Sequence, residues 1–356
     1  EYACMDTESF DGPAYYGILR SGTRITTSQI PPQRYRDTFL PLLLAGKDIL
    51  FVGMSSGISG SYASSELAAA ELREQFPERT IRTVDTLAAA LGEGILVMHA
   101  VDWRDAGLSI DEIADLLLER RHRVAQIVLL DDLMYLSRGG RLSGAKALIG
   151  TVLGIRPILK GNSAGQLVVC GKVRSRRTGI ATLAEKFAKL AENPGQQRVG
   201  IVYTDCKADA EALAEILRQL PEPPKEIMTV CYEPVTGSYV GLGTVAIFFE
   251  GIENVREYLN ERYADPTLCL DSVAAHLGVS YYFLSRIFKS ETNQPFSDLL
   301  GDVRVYRAME LLRTTALPVQ EVCAQVGYTN WSTFLRAFRK RAGTTPLQYR
   351  NLFGAK

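Results

Sequence analysis

The sequence predicts an α/β fold over residues 1–251, with parallel and mixed sheets, followed by an all-α domain over 252–356 that contains two helix-turn-helix units. Three observations carry this. Short β-branched runs alternate with amphipathic helical patterns up to about residue 250; beyond it no β-rich run occurs; and within the helical stretch one pattern of small and apolar residues repeats about fifty places apart.

At 356 residues the chain is too long for one ordinary core and should divide into two or three domains. Its 46% hydrophobic and 22% charged residues are those of a soluble globular protein without a disordered or low-complexity tract. Apolar runs such as 39–44 and 127–130 fall far short of the ~18 residues of a membrane span. The six cysteines show no CxxC spacing, and His99, His122 and His276 are far apart, so neither a zinc site nor a disulfide framework is expected. Reduced thiols in the cytoplasm fit this usage. A net charge of zero conceals an asymmetry: residues 252–356 carry 13 Lys+Arg against 10 Asp+Glu, and 331–350 holds five bases and no acid. That segment suits a polyanion. The chain opens on Glu1 rather than Met, with no export segment before the fold, so residues upstream are expected to be missing.

In order along the chain, 48–53 (DILFVG) reads as a buried strand and 61–76 as a helix. A strand at 80–84, a helix at 109–121 opened by a Ser-Ile-Asp-Glu cap pattern, and a strand at 125–130 follow. This first α/β subdomain is bounded at about residue 124, and a second covers 125–251. There, 131–160 reads as a Gly-punctuated loop and helix ending at Pro157, with strands at 166–174 and 198–203 around a helix at 178–192. The alternation predicts helices over a largely parallel sheet. Helix 254–262 then follows without a long linker.

In the helical domain Val273, Ala274, Leu277 and Gly278 recur forty-nine places on as Val322, Cys323, Val326 and Gly327. Leu284, Arg286, Phe288 and Lys289 recur fifty places on as Phe334, Arg336, Phe338 and Arg339. The small residue permits a close helix crossing, and the glycine four places later takes a turn conformation that a β-carbon resists. The apolar i, i+4 pairs anchor each second helix and leave its other face exposed. In the first unit this face carries Ser280, Tyr281, Ser285, Arg286 and Lys289; in the second it carries Asn330, Trp331, Ser332, Arg336 and Arg339. Such groups bond phosphates and base edges, and Arg339 and Lys340 fit phosphate contacts.

Three hydroxyl-rich segments stand out in residues 1–251: TTSQ (26–29), SSGISGSY (55–62) and YLSRGGRLSG (135–144). The second leads from a strand into a helix and so presents hydroxyls and free N–H groups where an anion is favourably held; turn and capping chemistry is its bland alternative. GxSxG fails because Ser61 stands at its last position; no histidine is placed as a base, His99 reading as a satisfied core residue; and no Walker phosphate loop occurs. No catalytic constellation, cofactor or metal is therefore expected.

Residues 252–356 resemble the AraC/XylS family in the segments LGVSYYFLSRIFK, RVYRAMELL and VGYTNWSTFLRAFRKRAGTTPLQYR, with Leu335 in place of a usual polar residue and Ala342 in place of a usual aromatic. The resemblance implies seven helices, in which a long central helix at about 296–315 holds the two units so that both recognition helices can enter successive major grooves of double-stranded DNA. Residues 1–251 resemble the DegV family in TTSQ, SSGISGSY, YLSRGGRLSG, LGIRPIL and TGSYVGLGTVAIFF, which occur in the family's order. This implies two α/β subdomains with a long-chain fatty acid between them, its head group at Thr27, Ser28, Ser59, Gly60, Arg141 and Tyr239. Tyr239 stands where the family usually has a histidine, and Leu242 where proline is common; the family's opening strand is absent before Glu1. Together the two resemblances imply a fatty-acid-binding transcription regulator. The alternative is a fatty-acid carrier serving a fatty acid kinase, with an accessory DNA-binding domain.

Overall fold

The computed structural model describes residues 10–142, 154–251, 259, 262–276, 280–282, 284, 285 and 295–354. Contacts divide the chain into two units, Glu1–Gly251 and Ile252–Lys356.

In the first unit the DILFVG run forms β1 (Ile49–Gly53), paired in parallel with β2 (Ile81–Asp85). Two helices, α2 (Pro32–Leu44) and α3 (Ser61–Gln75), cover one side of this pair. Ala68 and Ala69 are fully buried, and their small side chains admit Tyr35 and Phe39 to the helix contact. On the other side lie α4 (Leu91–Asp105) and α5 (Ile110–Arg120). The cap signal at 109–112 is realised: Ser109 Oγ accepts from Glu112 N at 3.3 Å, and Ser109 N donates to the Glu112 carboxylate at 2.8 Å.

The second sheet is mixed, as the expected combination of parallel and mixed sheets requires, and less parallel than the strand–helix alternation alone suggests. Among the described residues it has six strands in the order β5-β4-β3-β8-β6-β7, of which β6 (Arg198–Tyr203) and β7 (Glu226–Cys231) pair in parallel. Its centre is β3 (Val124–Leu129) against β8 (Val245–Glu250), antiparallel, with every residue of both strands buried. The loop and helix expected to end at Pro157 lie in part over 143–153, outside the described residues; the expected end is corrected, because after the short α6 (Met134–Arg138) Pro157 belongs to β4 (Arg156–Gly161), which turns directly into β5 (Leu167–Val173). Pro157 is tolerated because it precedes Ile158, the first β4 residue paired to β3, and its carbonyl still accepts from Leu130 N at 3.1 Å. A hairpin makes neighbouring strands antiparallel, whereas the expected parallel pairing needs a crossover helix. Two helices, α7 (Arg176–Leu190) and α8 (Lys207–Arg218), pack on this sheet.

Two tyrosines fix one helix that bears on function. In α1 (Gly12–Arg20), Tyr15 Oη donates to Pro234 O at 2.7 Å and Tyr16 Oη to Tyr232 O at 2.8 Å. They hold the start of α9 (Pro234–Val240), where Gly237 is obligatory because a Cβ would lie 2.2 Å from Tyr16 Oη.

The second unit contains α10 (Leu270–His276), α11 (Phe296–Thr314), α12 (Val319–Gln325), α13 (Trp331–Ala342) and α14 (Pro346–Phe353). The expected helix at 254–262 lies almost wholly outside the described residues. Val305, Ala308 and Leu312 of α11 bury against Val322, Cys323, Val326, Phe334 and Phe338. Gly327 turns the chain at φ 83°, and a Cβ there would meet Tyr263 O at 2.5 Å. Arg304, buried within α11, donates to Tyr263 O and Asp265 O at 2.8 and 2.7 Å and lies over the Tyr328 ring.

Candidate functional site

Segments far apart in sequence meet above the second sheet. Thr27 Oγ1 lies 2.7 Å from Tyr239 Oη. The Arg141 guanidinium stacks over the Tyr239 ring, 4.7 Å from its centroid, and its Nε donates to Ile58 O at 3.0 Å. Arg141 also donates to Gly139 O, and Gly139 is needed there because a Cβ would lie 2.3 Å from the Tyr239 ring. Thus Thr27, Arg141, Tyr239 and the loop bearing Ser59 form one cluster.

The 55–60 loop is held on several sides. Ser55 Oγ donates to Gly165 O at 2.8 Å, and Ser55 N donates to Ala88 O at 2.8 Å. Gly57 and Gly165 face this contact so closely that a Cβ on either would collide with the opposite chain. Ser59 Oγ accepts from Ser61 N at 3.2 Å, and Gln29 donates to Gly60 O and Ser64 Oγ at 2.9 and 2.7 Å. Turn and capping chemistry therefore accounts for Ser55 outright. Ser59 acts only as acceptor and keeps its own proton to give. Gly60 contributes a close approach to Gln29, and Ser28 is exposed.

Beside the cluster lies an apolar cavity lined by Ile58 and Arg141 together with Val128, Leu136, Leu167, Val240 and Phe248. Gln126, buried in β3, spends its amide on Ala89 N and Leu87 O, both at 3.0 Å. It thereby holds a segment in which Leu87 and Ala90 adopt φ 54° and 50°, a strain of about 1–3 kcal/mol per residue that surrounding contacts must impose. Periodicity cannot reveal such a residue: Gln126 interrupts a buried strand and reads as an imperfection. The electrostatics favour an anion at the cluster. In the Thr27–Tyr239 pair one hydroxyl proton lies between the oxygens and the other remains free, and Arg141 adds a positive charge.

His99 is not a core residue. Its Nε2 lies 3.2 Å from Glu250 Oε2 and its ring stacks on Trp103, in a polar crevice shared with Arg120, Arg123 and Glu192. Burial would raise the Glu250 carboxyl, but His99 and Arg120 outweigh it and push it down to about 2.

In the second unit α13 buries Phe334 and Phe338 and exposes Trp331, Ser332, Arg336, Arg339 and Lys340. Asn330 caps this helix, its Oδ1 accepting from Thr333 N at 3.0 Å, so only its amide N–H groups remain to give. Lys340 Nζ lies 3.3 Å from Asp298 of α11, and Arg341 bonds Asp302 and Asp298 O. Arg336 and Arg339 have no ion pair among the described residues. Of the first unit's face, Ser280 and Tyr281 are exposed and Ser285 half-buried over the buried Leu284; Arg286 and Lys289 lie outside the described residues.

The geometry defines a two-part chain: an α/β module with an apolar cavity beside a hydroxyl and guanidinium cluster, and a helical domain with a basic exposed helix. Residues 6–251 match the family described as uncharacterised proteins of the DegV family, and 273–352 match a helix-turn-helix domain. A DegV domain-containing protein of Clostridium perfringens (strain 13 / Type A) is 39% identical over 238 residues, 67% of this chain and 81% of the relative. The solved structure of a DegV lipid binding protein from Thermotoga maritima matches with a TM-score of 0.61 at 27% identity, covering 70% of this chain and 85% of that one. A DegV family protein from Thermus thermophilus, described for its fatty acid binding, matches at 0.62 and 27% identity, covering 69% and 86%. The chain belongs to the DegV family, and it carries a helix-turn-helix domain of the AraC type.

Proposed function

We propose that this chain is a cytoplasmic, sequence-specific DNA-binding transcription regulator whose DegV module binds a long-chain fatty acid. The observation that carries the proposal is the convergence of Thr27, Tyr239, Arg141 and the Ser59 loop at an apolar cavity, in a chain that also presents the exposed Arg336 and Arg339 on α13. A carboxylate receives protons from Thr27 or Tyr239 and from Ser59 as charge-assisted hydrogen bonds, beside the Arg141 cation. Each methylene buried in the cavity contributes about 0.8 kcal/mol. The relatives from Thermotoga maritima and Thermus thermophilus, described as lipid binding and fatty acid binding, support this ligand class. No helix among the described residues is long and apolar enough to cross a membrane.

The test is footprinting on DNA selected from random sequence, with the acid present and absent, beside native mass measurement of co-purified lipid. Two protected half-sites on one face of the duplex, about one helical turn apart, are expected from one chain with two reading units. Absence of sequence preference under both conditions refutes the regulator. The carrier alternative is tested separately: on the regulator reading, the loaded chain given a fatty acid kinase and ATP should form acyl phosphate poorly, and Tyr239→His should improve it. Efficient turnover by the unaltered chain would favour the carrier.

A further inference from the structure

One polar side chain of the cavity wall stands apart from the head-group cluster. Thr236, in the first turn of α9, lines the cavity, and its Oγ1 is shut off from solvent with no hydrogen-bond partner among the described residues. A threonine in a helix commonly settles its hydroxyl on the carbonyl four residues back. For Thr236 the residue four back is Tyr232, which precedes the helix, so that helical acceptor is not in place, and the Tyr232 carbonyl accepts from Tyr16 Oη at 2.8 Å. The Glu233 carboxylate, the other acceptor at this helix start, takes the N–H groups of Val235 and Thr236 at 2.5 and 2.8 Å. Gln126, across the cavity, has both ends of its amide engaged with backbone.

A buried hydroxyl without a partner is destabilising, and valine would fill the same space without that cost. We propose that the preferred ligand is a fatty acid with a hydroxyl on its chain, bonded there by Thr236 Oγ1. This deepens the acyl-binding proposal above and rests on it. An unsubstituted chain lying against Val128, Leu136, Val240 and Phe248 satisfies the wall but strands Thr236. A site built around a hydroxyl discriminates against the analogue lacking it far more strongly than an apolar wall discriminates a methylene.

The test uses the full chain stripped of lipid, with octadecanoic acid and its 3-, 10- and 12-hydroxy derivatives competing against a fluorescent fatty acid. At least one hydroxy acid should bind about tenfold more tightly than octadecanoic acid, the worth of one buried hydrogen bond. Thr236→Val should bring that ratio close to one, chiefly by improving octadecanoic acid binding, while Thr236→Ser retains it. An equal ratio in the unaltered chain and Thr236→Val overturns the inference and leaves acyl binding standing. Equal weakening of every acid by Thr236→Val also overturns it, making the hydroxyl a carboxylate contact. If none of the acids binds the unaltered chain, the acyl-binding proposal itself fails, and this inference with it.

Discussion

Thr27 and Ser59 hold positions that removal of one oxygen each should expose. Among the described residues Thr27 bonds across to Tyr239 and Ser59 accepts from Ser61 N–H, so the double variant Thr27→Ala, Ser59→Ala deletes head-group donors without opening the core. Losing two charge-assisted bonds should lower acid affinity by a hundredfold or more, at about 1.5–3 kcal/mol each. Undiminished lipid in the purified double variant would show that the head group sits elsewhere. Glu93 supplies a pH signature of the same module. Burial, and then the nearby Glu233 carboxylate, raise its carboxyl to about 7. The folded state thus keeps a proton that the unfolded state releases, so stability falls as pH rises from about 4.5 towards 7 and stays lost above. Glu93→Gln should raise the unfolding midpoint at pH 8, by on the order of 2–3 kcal/mol of stability, and change little at pH 4.5. Glu250, lowered to about 2, acts with the opposite sign, and its contribution is lost only as pH falls from about 4.5 towards 2. The two windows do not overlap, so an unchanged slope between pH 4.5 and 7 in Glu93→Gln would discount this account of Glu93.

Among elements, α13 shows how one helix face divides between scaffold and recognition. Lys340 and Arg341 turn to Asp298 and Asp302 and fasten α13 to α11, whereas Arg336 and Arg339 point to solvent. The sequence groups these bases as one positive run; the structure separates them by whether an acid of α11 lies within reach. Arg336→Ala should cost about 1–3 kcal/mol of specific affinity and relax preference at one base pair. Arg339→Ala should weaken all sequences alike and flatten the salt dependence by about one unit of slope. Lys340→Ala should flatten it less, since its ammonium is already shared with Asp298. Binding titrations over a salt series on matched and mismatched duplexes read all three, and an identical loss from Arg336→Ala on both duplexes would remove its base contact. In the first unit, Leu284 is buried as its repeat partner Phe334 is, consistent with the shared anchor pattern.

For the whole molecule, coupling between ligand and DNA is a single free energy. If the acid changes operator affinity by some factor, operator DNA must change acid affinity by the same factor. Measuring acid binding with and without a specific duplex should return that factor, and a thousandfold excess of scrambled duplex should not. Equal acid affinities in both cases would leave two independent binding functions on one chain.

Much of this architecture is legible in the sequence because it is local chemistry. Strand and helix types follow from hydrophobic period; the capping box at Ser109 and the turn at Gly327 follow from side-chain and backbone geometry within a few residues; and the repeat at forty-nine and fifty places discloses paired helical units. The hydroxyl-rich segments likewise announce a polar site. Tertiary structure alone decided how these pieces meet. Thr27 finds Tyr239 across 212 residues, β3 pairs with β8 rather than with a parallel neighbour, and Tyr16 bonds the Tyr232 carbonyl across 216 residues. His99 joins Glu250 and Lys340 joins Asp298 for the same reason. A residue's propensity is set by its neighbours in the chain, but its partner is set by which surfaces the packed layers bring within hydrogen-bond distance, and no local period encodes that.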